Sequence, residues 1–300
     1  MNRRELLVRA GVAAPFLTLA ACTANNLGLA PSRNPKQQAF DDALRALEAG
    51  SGGRLGVAVL DTGSQARLAW RGDELFPMAS TFKLVAAGLV LQRVDEGRER
   101  LDRRIVYPKQ ELVEYSPMTE LRVGGAGVRI DELCEAAVTL SDNTAANLLL
   151  KSFGGPAALT AYFRTLGDRV SRLDRFETEL NEAAPGDVRD TTTPAAMLAT
   201  MQRLVLGDAL TPGSRARLAT WLLGNKTGDR RLRAGFPPTW KVGDRTGSAA
   251  NGTSNDVAVA WPPGRAPWLV TSYLTGATVA PAERDAVIAK VADLAVRSLA

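Results

Sequence analysis

Strand-like segments occur in this chain in two tightly connected groups, and that constrains its fold more than any other feature. "RLGVAVLD" (54–61) and "ARLAWRG" (66–72) are separated only by the turn-prone "TGSQ". "TWKVGDRTG", "NDVAVAW" and "PWLVTSYLT" follow one another between 239 and 275, each bounded by Gly, Pro or Asn. Parallel neighbours need crossovers of about a dozen residues or more, so strands joined this tightly run antiparallel. Helical spacing marks "KQQAFDDALRALEA" (36–49), the closing segment 280–300, and most of 79–223. A proline- and acid-containing loop near 108–120 and a long irregular stretch at 171–192 interrupt that helical run. The pattern predicts an α+β fold of layered α/β/α type. One five-stranded antiparallel sheet carries the terminal helices on one face and an all-helical subdomain on the other. The α/β part spans about 36–72 and 224–300, the helical part about 73–223, and the cleft between them is where a ligand site is expected.

The first 22 residues, "MNRRELLVRAGVAAPFLTLAAC", have a basic start, an apolar middle and a small-residue end, which reads as a secretory signal. Leu19-Ala20-Ala21-Cys22 fits a lipobox in which Cys22 is lipidated, and fits equally a plain signal cut near Ala21. Arg3-Arg4 fits a twin-arginine signal only loosely. Residues 23–35 are small, polar and proline-punctuated, as a tether is, and the main domain is expected over 36–300. The protein is therefore expected to be exported, either periplasmic or held at the membrane as a lipoprotein facing the periplasm. Cys134 is the only other cysteine and reads as a small buried apolar residue. The net charge of +5 is spread without a basic stripe, so no nucleic-acid partner is expected, and nothing in the sequence demands more than a monomer.

The chain contains no histidine. That removes the Ser-His-Asp triad and histidine-ligated metals, and two cysteines do not make a zinc site, so no metal and no cofactor is expected. A hydrolase built here activates its nucleophile with Lys, Glu, Asp, Tyr or a second serine. In "ASTFKL" (79–84), Ser80 and Lys83 stand at i and i+3 on one helical face, which brings the ammonium within reach of the hydroxyl. The helix N-terminus adds free N–H groups and partial positive charge beside Ser80. To serve as a base Lys83 must be neutral, with a pKa well below the unperturbed ~10.4, which burial and a neighbouring cation bring about. Read alone, so short a motif is more simply a capped helix with an exposed lysine.

Three other stretches are individually bland. Ser141-Asp142-Asn143 between helical runs reads as a cap, "GDRTGS" (243–248) as a hairpin turn, and "RFETELNEAAPGDVRD" (175–190) as a surface loop. Together, in this order and at these separations, they and "ASTFKL" resemble the class A serine β-lactamases over nearly the whole mature chain. The resemblance implies hydrolysis of the β-lactam amide of penicillins and cephalosporins through a serine acyl-enzyme, giving antibiotic resistance. It implies Ser80 as nucleophile, Lys83 as its activator, and Ser141 as proton donor to the departing nitrogen. It implies Glu177 and Asn181, in E-x-x-L-N, as holders of the hydrolytic water. Asn143 binds Lys83 and the substrate side-chain amide, Arg175 and Asp190 close the loop as an ion pair, and the N–H groups of Ser80 and Ser248 form the oxyanion hole. Arg245, Thr246 and Arg231 address the substrate carboxylate, and Tyr115 is the aromatic wall at the cleft mouth. An unperturbed carboxylate is a weak base, so Glu177 is expected to work through its position in a closed loop. Whether Lys83 or Glu177 takes the serine proton stays open.

The chain departs from the pattern at three places. Arg245 stands where most members have lysine, keeping the charge but in a planar, bulkier group, as in carbenicillin-hydrolysing members. Thr178 stands where many have a proline after a cis bond. Ala79 and Ala249 replace the cysteines of disulfide-bearing carbapenemases. Two other readings remain: a penicillin-binding D-Ala-D-Ala peptidase, which lacks the loop with Glu177 and Asn181, and a non-hydrolysing β-lactam sensor domain, which usually accompanies a membrane-spanning region not expected here.

Overall fold

The computed structural model describes residues 35–299, so the signal and tether readings, with Cys22, lie outside the described residues except at Pro35. Helix α1 (Pro35–Ser51) leads into β1 (Arg54–Asp61) and β2 (Arg67–Trp70), then β3 (Phe76–Pro77), a 3-10 turn (Ala79–Thr81) and α2 (Phe82–Asp95). There follow β4 (Arg104–Ile105), β5 (Val128–Arg129), α3 (Ile130–Glu135), a π-helical turn (Ala136–Leu140), α4 (Asn143–Phe153) and α5 (Gly155–Thr165). The irregular stretch comes next, ending in β6 (Thr191–Thr192), and α6 (Pro194–Val205), α7 (Pro212–Leu223) and α8 (Leu232–Gly235) complete the middle of the chain. Strands β7 (Lys241–Ala249), β8 (Thr253–Trp261) and β9 (Trp268–Thr275) and helix α9 (Pro281–Leu299) close it. Among the described residues no helix is long and apolar enough to cross a membrane.

The main sheet has the order β2-β1-β9-β8-β7, with every pairing antiparallel. Its strands read as continuous apolar runs because both faces are covered. Alternate residues sort cleanly: Leu55, Val57 and Val59 join one core, Ala58 and Leu60 the other. The same alternation puts Trp268, Val270 and Leu274 on the first side and Leu269 and Tyr273 on the second. On the first side Phe40 and Leu44 of α1 meet Ile288, Val291 and Ala295 of α9. On the second side α6 and α7 pack on the sheet, α2 packs on them and α4 on α2, sharing one core through residues such as Phe82, Leu149, Met201 and Leu222. The short pair β3–β6 ties the two ends of this helical region together, with Phe76 opposite Thr192.

Three local devices set the site. Ala79, at φ +44°, turns the chain in the left-handed region just before Ser80. Asn255 of β8 donates its amide to Pro77 O (2.8 Å) and Met78 O (3.2 Å), pinning that turn to the sheet. Gly247 lets β7 close on it: a Cβ there would lie 3.0 Å from Met78 O and 3.2 Å from Ser80 N.

Candidate active site

Ser80 starts the α2 end of the cleft, and Lys83, one helical turn on, is fully buried at 0% exposure. The plain reading of Lys83 as an exposed helix residue is thereby removed. Its ammonium donates to Ser141 O (3.0 Å), Ser141 Oγ (3.3 Å) and Asn143 Oδ1 (2.5 Å), and pairs with Glu177 Oε1 at 3.0 Å. The i, i+3 spacing predicts direct contact with Ser80. The structure instead couples the two through shared partners, because the ammonium is drawn toward the acceptors of the Ser141 turn and the carboxylate. Burial pushes the Lys83 pKa down to about 8; Glu177 opposes the fall and the Arg245 cation assists it.

Ser141 follows the π-helical turn and sits at φ +61°, which swings its side chain back toward α2. Its Oγ accepts from Lys83 Nζ and from Arg245 Nη2 (2.5 Å), so both lone pairs are taken and its proton is free only for Ser80 Oγ, 3.2 Å away. Ser80 Oγ in turn donates to Glu177 Oε1 at 3.1 Å. The hydroxyls therefore share one polarity, Ser141 toward Ser80 toward Glu177. Two cations at one end and a carboxylate at the other impose it.

Asp142 supports this arrangement without facing the cleft. It caps α4 through Ala145 N (2.8 Å) and gathers Met118 N, Thr119 N and Thr119 Oγ1. Asn143 donates to Glu114 O (2.8 Å), and its own N–H goes to Tyr115 O (3.0 Å), so Tyr115 is held at the mouth with 58% of its surface exposed.

Glu177 enters from the irregular stretch and is buried. Its backbone is gripped by an α4 amide that sequence reading missed: Asn147 Nδ2 donates to Glu177 O (2.8 Å), and Glu177 N donates to Asn147 Oδ1 (2.9 Å). The Glu177–Thr178 peptide is cis. Asn181 Nδ2 donates to Glu177 Oε2 at 2.5 Å, and the buried Asn181 Oδ1 has no hydrogen-bond partner in the structure. At the neck of the stretch Arg175 Nε meets Asp190 Oδ2 at 2.6 Å, while Asp190 Oδ1 accepts Asp174 N and Arg175 N. Arg175 also reaches Glu182 at 2.6 Å. The far side is latched by the β7–β8 turn, where Ala250 N donates to Asn181 O.

The third wall is β7. Arg245 is fully buried, and burial pushes its pKa down to about 10 against the pull of Glu177, Asp244 and Asp256. Its Nη1 donates to Thr246 Oγ1 at 3.3 Å. Arg231 stands just before α8 and is buried, unlike a surface arginine. It is anchored by Asp285 (2.7 Å), Gly247 O (2.7 Å) and Asn255 O (2.8 Å), and offers Nη2 to Ser248 Oγ (2.7 Å). Thr227, also missed from sequence, lies beside Thr246 at 2.5 Å between the hydroxyls. Thr227, Arg231, Thr246 and Ser248 line one cleft of about 460 Å³ together with Ser80, Ser141, Asn143, Asn181 and Tyr115, with the buried Arg245, Lys83 and Glu177 beneath that lining. Arg175 and Asp190 stand behind it.

A serine whose proton points at a buried carboxylate, with a lysine of lowered basicity beside it and arginines across the cleft, defines a serine acyl-transfer enzyme that works without histidine. Known proteins give that class its family. The model of the "Beta-lactamase enzyme family" matches residues 39–299. Beta-lactamase AST-1 of Nocardia asteroides is 50% identical over 285 residues, covering 95% of this chain and 91% of that protein. Beta-lactamase L2 of Stenotrophomonas maltophilia is 46% identical over 300 residues, 99% of each. The solved structure of an ancestral (GNCA) class A β-lactamase superposes with a TM-score of 0.85 at 64% identity, covering 87% of this chain and all of that one. This chain belongs to the β-lactamase enzyme family, as a class A serine β-lactamase.

Proposed function

We propose that this chain opens the β-lactam amide of penicillins and cephalosporins through an acyl-enzyme on Ser80, then hydrolyses that ester. The polarity Ser141–Ser80–Glu177 carries the reading. In acylation Ser80 Oγ attacks the lactam carbonyl carbon as its proton leaves toward Glu177 Oε1, 3.1 Å away, or toward neutral Lys83, which is linked to Ser80 through Glu177 and Ser141. The C–N bond breaks, Ser141 Oγ gives its proton to the nitrogen, and Lys83 replaces it with the proton taken from Ser80, received directly or passed on by Glu177, which leaves Glu177 ionised for the next step. In deacylation Glu177, held by Asn147 and Asn181, takes a proton from water. The hydroxide so formed attacks the ester carbonyl, and Ser80 leaves and recovers its proton. The N–H groups of Ser80 and Ser248 are assigned to the carbonyl oxygen, and Asn143 to the substrate side-chain amide. Tyr115 is assigned to the mouth, and Arg245, Thr246 and Arg231 to the carboxylate. The unpartnered Asn181 Oδ1 suits an acceptor for that water. The first 22 residues support export, with a lipid anchor if Cys22 is the processed end, and the monomer is proposed as the working unit.

Purified protein mixed with a chromogenic cephalosporin and with a penicillin is expected to turn over both continuously. Glu177→Ala is expected to form a lasting adduct on Ser80, seen by intact mass. A single burst from the unaltered protein would overturn the hydrolytic reading, and unchanged turnover in Glu177→Ala would remove Glu177 from deacylation.

A further inference from the structure

The cleft hydroxyl of Thr246 is governed from behind by two residues the family motifs do not include. One donor beside it has a fixed direction. The backbone N–H of Thr227 points at the Asn225 side chain, 3.1 Å away, so the atom facing it is the amide oxygen. The amide nitrogen then faces the buried Asp244, donating to Oδ2 at 2.8 Å, which fits a carboxylate also bound by Arg233. With Asn225 set this way, its Oδ1 accepts the Thr227 hydroxyl proton at 2.9 Å. Thr227 Oγ1 has no second proton to give. In its 2.5 Å contact with Thr246 Oγ1 it is therefore the acceptor, and Thr246 is the donor.

We propose that Asn225 and Thr227 are positioning residues that commit the Thr246 proton away from the cleft in the resting enzyme, and so set the cost of binding the substrate carboxylate. Thr246 Oγ1 spends its proton on Thr227 and one lone pair on Arg245 Nη1, leaving an acceptor toward the cleft. A carboxylate has only acceptors to offer. The Thr246 hydroxyl must rotate to receive it, and Thr227 Oγ1 loses its partner when that happens. This rests on the reading of the cleft as a β-lactam site with its carboxylate beside Thr246.

The consequence has a sign. Thr227→Val keeps the shape and removes the competing acceptor. The KM of a free-acid cephalosporin is then expected to fall, relative to that of its methyl ester, by about 2- to 10-fold, the range one neutral hydrogen bond is worth in an equilibrium. kcat for the free acid changes less than KM. Thr227→Ser, which restores the acceptor, keeps the ratio of the unaltered protein. Thr227→Ala tests the same sign should the valine fold poorly, with circular dichroism and thermal melting reporting folding for each. A ratio that is unchanged or raised in both Thr227→Val and Thr227→Ala overturns the proposal. A raised ratio would mean that Thr227 itself donates to the carboxylate. Absence of turnover of either substrate by the unaltered protein overturns the underlying reading instead.

Discussion

At the scale of single residues, the contest over Lys83 is the informative one. Its burial favours the neutral amine, the Glu177 carboxylate favours the ammonium, and Arg245 favours the amine again. With burial the largest of the three, the pKa settles at about 8, far enough below ~10.4 for a useful neutral fraction near neutrality. Where Lys83 is the acylation base, the active form is deprotonated and kcat/KM rises with pH through about 8. Arg245→Gln removes a charge that lowers this pKa, so the acidic limb is expected to move to higher pH. Arg245→Lys keeps the charge and is expected to leave the limb nearly in place. Measuring kcat/KM against pH for a penicillin in all three proteins decides it; a limb that ignores Arg245→Gln assigns acylation to Glu177. The hexapeptide "ASTFKL" showed the pairing of Ser80 with Lys83. It did not show that the contact runs through Ser141 and Glu177, because those acceptors arrive from segments 58 and 94 residues farther along the chain than Lys83.

At the scale of elements, the irregular stretch 171–192 behaves as one part. It has almost no regular structure of its own and takes its shape from a few hydrogen-bond partners: Asp190 for the neck, Asn147 for Glu177, and the β7–β8 turn for its far side. Asp190 stands at φ +56°, in the left-handed region, and its carboxylate holds both Asp174 N and Arg175 N besides the guanidinium. Asp190→Asn keeps the size but loses the charge and one acceptor. Charge-assisted bonds of this kind are worth about 2 kcal/mol, so the melting temperature is expected to fall by about 4–8 °C. Deacylation should slow more than acylation, because Glu177 and Asn181 ride on the loop. Thermal melting together with the burst amplitude for a penicillin checks both; an unaltered melting temperature would mean the neck is held elsewhere. Sequence periodicity found the long helices and the strands, since each writes a period of 3.6 or 2 into local composition. It was blind to the 3-10 turn at Ala79–Thr81 and the π-helical turn at Ala136–Leu140, which set the directions of Ser80 and Ser141. Those turns depend on contacts from β8 and α2, which no local window contains.

At the scale of the whole molecule, the sheet separates stability from chemistry. The core under α1 and α9 lies on the face away from the cleft, whereas the core under α2 and α4 carries Lys83, Asn143 and Asn147 on its helices and Ser80 on the turn that leads into α2. The apolar run "RLGVAVLD" marked a strand in the sequence, but its division between two buried faces, and which of them holds the site, emerge only from the packing of the helices. Leu44 of α1 and Leu149 of α4 are both fully buried leucines, so truncating either to alanine removes similar apolar volume and leaves a cavity. Each is expected to lose about 2–5 kcal/mol in urea unfolding. The effect on turnover should differ. Leu149→Ala loosens the helix whose Asn147 grips Glu177, and kcat for a penicillin is expected to drop several-fold. Leu44→Ala leaves that helix and the cleft side of the sheet packed as before, and kcat measured well below its melting temperature is expected to stay within about twofold. Interiors transmit strain because they are close-packed, and the test asks whether a five-stranded sheet stops it. A matching loss of kcat in Leu44→Ala would show that the two cores act as one.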